Sequence, residues 1–267
     1  MDYILYLSVG ALAGFLSGLF GLGGGIIIVP TLIFVFTLNG FAPEVTTHLA
    51  IGTSLATIIV TSFSSTLTHH KKEGVRWDIA RLLIPGILLG SVLGGLLATS
   101  ISGAWLQLLF GCLMVTVAVQ LVVMPAIKEA AIPGTLKLGT AGIFIGGLSS
   151  LFGIGGGTLT TPFLTSFGTS IRQAVGTSAA CGLPIALAGG TVYLLSGRFS
   201  ELLPADSLGY IFMPAWLGIV VTSMPFARIG ALLAHRLNER RLKQLFAGII
   251  LVLGIRLIGL NFFTTFG

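Results

Sequence analysis

Polar positions are so sparse along this chain that they read as punctuation between apolar runs. Six runs are long enough to cross a bilayer, at residues 45–68, 77–98, 104–124, 171–196, 208–234 and 242–263; a crossing helix needs about 20 residues. Two further runs are interrupted. Segment 3–20 breaks at a glycine run and resumes over 26–38, and segment 139–152 breaks at another and resumes over 158–167. The pieces 26–38, 139–152 and 158–167 fall short of a crossing length. Lipid cannot hydrogen-bond the main chain that glycines lay bare, so such runs are tolerated at membrane depth only inside protein or against a water-filled cavity. The pattern predicts two broken, re-entrant helical hairpins in addition to the six spans.

Both interruptions carry one motif. "GLFGLGGGIIIVP" runs from Gly18 to Pro30 and "SLFGIGGGTLTTP" from Ser150 to Pro162, so that Gly21 matches Gly153 and Gly25 matches Gly157 at an offset of 132. "HLAIGTSLAT" at 48–57 matches "RQAVGTSAAC" at 172–181, sharing Gly52-Thr53-Ser54 and Gly176-Thr177-Ser178, and "LQLLFG" at 106–111 matches "LKQLFA" at 242–247. The chain therefore divides into a first repeat (1–124), a linker (125–138) and a second repeat (139–267), within one integral membrane domain. Each repeat is a hairpin plus three spans. Three is odd, so the halves face opposite ways. The expected fold is an all-α polytopic membrane protein of two inverted-topology repeats, an architecture that places substrate near the midplane between the repeats in many secondary transporters.

Composition sharpens the class. The chain is 54% hydrophobic and only 8% charged, with a mean hydropathy of +1.04; soluble domains carry about 25% charged residues. No polar region is long enough for a separate soluble domain. Met1-Asp2-Tyr3 lacks the basic region of a cleaved signal peptide, so the first apolar segment is expected to stay. Cys112 and Cys181 lie in apolar surroundings and suggest neither a disulfide framework nor a metal cluster. No cofactor is expected.

The net charge of +6 might suggest a nucleic-acid partner, but much of it sits in three loops. Lys71, Lys72 and Arg76 share one, Lys128 and Lys137 another, and Arg236, Arg240, Arg241 and Lys243 a third. Such clusters are what the positive-inside rule produces, and the lipid bilayer is their explanation. With all three loops cytoplasmic, 139–167 must return to the side it left, as a hairpin does. Both termini then come out external.

The candidate chemistry is that of anion binding. A helix resuming after Gly25 or Gly157 points free N–H groups and a partial positive charge at the turn, where glycine leaves room for a ligand. The substrate-binding set comprises Gly21, Gly23, Gly24, Gly25, Thr53 and Ser54, with Gly153, Gly155, Gly156, Gly157, Thr177 and Ser178 from the second half. Further hydroxyls come from Thr57, Thr158, Thr160 and Thr161. Gly14, Gly18, Gly142 and Gly146 read instead as helix-packing positions. Arg256, deep in the last span with no acidic partner in any span interior, contacts either substrate or a structural neighbour. His48 and Arg172 are repeat equivalents near helix starts, either gates at the two entrances or interfacial anchors. All eight acidic residues fall in loops or at segment ends, so the chain offers no buried carboxylate relay for protons. His and carboxylate sets of the kind an intramembrane enzyme needs are missing too.

The paired glycine blocks, each followed by a proline, and the paired Gly-Thr-Ser segments resemble the sulfite exporter TauE/SafE family. The resemblance spans nearly the whole chain. It implies transport of a small sulfur-containing anion such as sulfite, sulfoacetate or a related organosulfonate across the bacterial inner membrane. Export by alternating access is the expected mode, and a homodimer is one candidate assembly. A passive anion channel, or an uptake carrier for another small anion, is the alternative.

Overall fold

A computed structural model of the protein describes residues 2–20, 24–123, 134–234 and 239–265. The first half supplies α1 (Asp2–Phe20), α2 (Gly25–Leu38), α3 (Pro43–Lys71), α4 (Trp77–Ser100) and α5 (Gly103–Val123). The second supplies α6 (Thr135–Phe152), α7 (Gly157–Thr165), α8 (Ile171–Ser196), α9 (Met213–Ala234) and α10 (Glu239–Thr265). Between α8 and α9 lies a small antiparallel ribbon pairing β1 (Ser207–Leu208) with β2 (Ile211–Phe212). Helices α3, α4, α5, α6 and α8 are long and apolar enough to cross a membrane. The protein is an all-α polytopic membrane protein.

Two boundaries differ from the sequence pattern. Helix α6 starts at Thr135, ahead of the expected 139, and its 18 residues reach about 27 Å at 1.5 Å per residue. It is not a short arm. The segment expected as 208–234 becomes helical only at Met213, because Asp206 and Gly209 take positive φ angles of 66° and 56° to turn the ribbon.

Glycine decides how the helices pair. A Cβ on Gly10 would lie 2.6 Å from the Cα of Ile219, and one on Gly14 would lie 2.5 Å from the Cα of Ser223, so α1 runs parallel to α9 with their backbones touching. Helix α6 lies parallel to α4 in the same way: Gly142 abuts the Leu83 carbonyl and Gly146 the main chain of Ile87. From α4, Gly86, Gly90 and Gly94 press on the carbonyls of Gly139, Ile143 and Gly147. The packing role expected of Gly14, Gly142 and Gly146 is what the structure shows; the side of α1 at Gly18 lies outside the described residues. Helices α3 and α8 pack antiparallel, as do α5 and α10.

These directions give the bundle two unlike ends. At one, α3 ends and α4, α6 and α8 begin, bringing together Lys71, Lys72, Arg76, Lys137 and Arg172. At the other, α1, α3, α5 and α9 begin, and a cluster of Tyr6, Phe36, Phe41 and Phe212 fills the interior, with ring centroids 5.1 to 6.4 Å apart. Asn39 Nδ2 donates to the Tyr6 hydroxyl at 3.0 Å, tying the end of α2 back to the start of α1.

Helix contacts this close leave no room for a side chain. Gly90→Val should lower stability by about 1–3 kcal/mol through overpacking, whereas Gly139→Ala, with nothing within 4 Å of its Cβ, should be neutral or slightly stabilising. Thermal unfolding of the two purified variants in one detergent checks the contrast.

Candidate functional site

Helix α6 ends because Gly153 adopts a left-handed conformation, φ 66° and ψ 28°. Its N–H reaches the Ser150 carbonyl at 3.4 Å and the Ile154 N–H reaches the Ser149 carbonyl at 2.9 Å, the paired bonds of a Schellman cap. The freed Gly153 carbonyl accepts from Ser54 Oγ at 2.8 Å. Against this turn sits the first glycine block: a Cβ on Gly25 would lie 2.5 Å from the Gly153 oxygen and 2.8 Å from the Ile154 Cα. The two blocks touch. Gly24, with φ 73°, caps α2 through its carbonyl, which accepts from Ile27 and Ile28 N–H at 3.0 Å each. Gly21 and Gly23 lie outside the described residues.

The Gly-Thr-Ser segments use their hydroxyls on protein. Gly52 faces the Tyr210 carbonyl, and Thr53 Oγ1 accepts from the Phe212 N–H at 2.9 Å while donating to the Leu49 carbonyl at 2.6 Å. In the second half Gly176 faces the Gly74 carbonyl, and Thr177 Oγ1 accepts from the Arg76 N–H at 2.9 Å. Equivalent threonines therefore pin the segments leading into α9 and α4. Both are fully buried, and neither lines the cavity described next. Thr57 likewise donates to the Thr53 carbonyl.

A cavity of about 320 Å³ opens at the basic end of the bundle. Gly155, Gly156 and Gly157 form its floor, at the start of α7. Its largest wall is the second half of α3, with Thr61, Ser62, Ser64, Ser65 and Thr68. Ser178 lies beside the floor, its Oγ donating to the Val175 carbonyl at 2.9 Å and accepting from Thr161 Oγ1 at 2.9 Å. Ser17 and Ser223 complete the hydroxyls, and His69 and Arg228 stand nearer the mouth. No lining residue is acidic. Ser62 is only 8% exposed, and its hydroxyl, which has no protein partner among the described residues, faces the cavity.

The structure thus brings Gly155, Gly156, Gly157 and Ser178 into one cavity, with Gly24, Gly25, Ser54 and Gly153 packed behind the turn. It keeps the other expected residues apart. Arg256 is exposed on the outer side of α10, its Cζ 4.1 Å from the centroid of the Phe34 ring, a cation–π contact. His48 is buried at the aromatic end, with Nε2 3.1 Å from the carbonyls of Ala98 and Ile101 and its ring 5.2 Å from that of Tyr210. Arg172 is exposed at the basic end and donates from Nη2 to the Lys72 carbonyl at 2.9 Å. The hydroxyl wall of α3 was missed in the sequence. Its signal was there in "TSFSST", 61–66, too polar a stretch for a lipid-facing helix.

The model of the family described as sulfite exporter TauE/SafE matches residues 6–257. The chain belongs to that family. It is similar to a probable membrane transporter protein of Haemophilus influenzae, 39% identical over 256 residues that cover 95% of this chain and 97% of the relative. Another relative, the probable membrane transporter protein YunE of Bacillus subtilis, is 28% identical over 280 residues, covering 97% of this chain and 98% of its own. A third, from Methanocaldococcus jannaschii, is 27% identical over 258 residues, with 94% and 93% covered. No solved structure matches. As a TauE/SafE member the protein is a membrane transporter.

For this TauE/SafE chain the threonine pins carry a stability prediction. Thr53→Val and Thr177→Val each leave a main-chain N–H, of Phe212 or Arg76, without its acceptor. A loss of about 1–3 kcal/mol is expected for each. Unfolding midpoints in detergent, measured against Thr191→Val on the exposed side of α8, test it.

Proposed function

We propose that this transporter is a secondary carrier that exports a small sulfur-containing oxyanion, sulfite or a related organosulfonate, across the inner membrane by alternating access. One observation carries the reading: the cavity ends on the glycines that open α7, is walled by hydroxyls and contains no carboxylate. Main-chain N–H groups at a helix start, surrounded by hydroxyl donors, suit an anion that has shed its water. Gly155, Gly156 and Gly157, with the Ser62 hydroxyl, are the contacts we assign to it, and Ser178, whose proton goes to the Val175 carbonyl, holds the wall beside them.

The cavity is lined from the basic half of the bundle, while aromatic rings fill the interior at the bundle's other end. That arrangement supports a carrier over a continuous channel. Inverted repeats are supported by the reciprocity of the contacts, in which α1 lies on α9 as α6 lies on α4. Re-entrance of the second hairpin is supported by α6 and α8 both starting at the basic end. Placing that end in the cytoplasm leaves both termini external. The membrane potential then favours anion export, by about 2.3 kcal/mol per charge per 100 mV.

Two measurements test the proposal. In proteoliposomes, Ser62→Ala, which removes a cavity hydroxyl whose proton no group among the described residues takes, should raise the half-saturation concentration for sulfite roughly tenfold or more, as loss of a hydrogen bond to a charged ligand predicts; wild-type protein that moves neither sulfite nor sulfoacetate would sink the substrate assignment. In intact cells, a cysteine introduced at position 100 should react with an impermeant thiol reagent and one at position 72 should not. Labelling at 72 alone would reverse the orientation.

A further inference from the structure

The sequence repeat lets each wall of the cavity be compared with its counterpart in the other half. The offset is 132 for the hairpins and 124 for α3 with α8. For α4 with α9 it is 136, because Gly10 meets Ile219 as Gly142 meets Leu83. On these offsets Thr61, Ser62 and Ser65 correspond to Ile185, Ala186 and Gly189. Thr68 becomes Val192, and Arg228 becomes Val92. The hairpin helices differ in the same sense: α7 carries Thr158, Thr160 and Thr161 where α2 carries Ile26, Ile28 and Val29. Of the hydroxyls that line the cavity, only Ser17 and Ser178 keep one in the other half, at Ser149 and Ser54, while Ser91 replaces Ala227.

That counterpart region is packed shut. Ile185 and Ala186 are wholly buried, and a Cβ on Gly189 would strike Ser150 Oγ. Ser149 is buried too, and its hydroxyl has no partner among the described residues. Opening on that side would uncover a mainly apolar vestibule.

We propose that the cavity on the basic-loop face is a loading site for a small oxyanion, built from the Thr61–Thr68 wall and Arg228, with no equal on the opposite face. The inference rests on the alternating-access reading above, and it adds a difference in affinity between the two faces. Thr61 and Thr68 donate to carbonyls of their own helix. An anion entering the basic face therefore exchanges water for the hydroxyls of Ser62, Ser64 and Ser65 under the field of Arg228, which also raises its local concentration. After the switch the same anion meets isoleucine, alanine and valine, where lost hydration is scarcely replaced. It is held tightly from one face and weakly from the other. Each hydrogen bond to a charged ligand is worth roughly tenfold in affinity or more, so the two faces should differ by at least about that factor.

The test is the concentration dependence of radiolabelled sulfite flux in right-side-out and inside-out membrane vesicles, repeated with sulfoacetate. The expected result is a half-saturation value at least about tenfold lower when the probe is offered to the face bearing residues 69–76. Ser62→Ala/Ser65→Ala should raise that value about tenfold and leave the other face unchanged. Arg228→Gln, an exposed position outside the helix contacts, should do the same and stands in if the double variant fails to fold. Equal half-saturation at the two faces, or a variant that shifts both alike, overturns the asymmetry while leaving the carrier reading intact. Absence of flux for both probes in both vesicle types overturns the oxyanion reading and this inference with it.

Discussion

The contact between the two glycine turns is the constraint on which the rest depends. A turn of glycines exposes main-chain groups that lipid cannot satisfy, so each must find its partner inside the protein. Gly153 turns left-handed and closes its own cap, its carbonyl is taken by Ser54, and Gly25 fills the space against it. Because the turns occupy each other, the start of α7 at Gly155–Gly157 is left lining the cavity. Packing and site share a cause.

Close approach of main chain does the remaining work of assembly. Between apolar helices in lipid there is no hydrophobic gain to be had from pairing, and van der Waals contact between small residues replaces it. Gly86, Gly90 and Gly94 form a ladder along α4 at the spacing of one helical turn, answered by Gly142 and Gly146 on α6. The α1 and α9 pair uses Gly10, Gly14 and Gly218 to the same end.

Much of this was legible in the sequence, because hydropathy and glycine spacing act locally. Helix α8 occupies 171–196 as its apolar run does, and α4 begins at the expected Trp77. What was not legible depends on which distant group meets a side chain. Thr53 and Thr177 are the same motif letters that a ligand site would use, and only the positions of Phe212 and Arg76 reveal that their hydroxyls already hold main chain. Arg256 had no acidic partner to be found, since its neighbour is the face of Phe34. The α3 wall hid for the opposite reason: its serines and threonines are embedded in a run whose mean hydropathy still reads as a span. The start of α6 was misplaced because Thr135–Leu138 is too polar to be counted with the apolar run that follows, yet it is helical.

The pairing of α1 with α9 and of α4 with α6 also says something about how the protein is made. Chains enter the membrane from the N-terminus, and domains form as their parts are synthesised. Here the glycine face of α4 waits until α6 has emerged, and that of α1 waits until α9 has, more than 190 residues after Phe20. Neither half can complete its contacts alone. Within the first half α2 packs on α3 and α3 on α5, but the glycine faces of α1 and α4 find their partners only in the second.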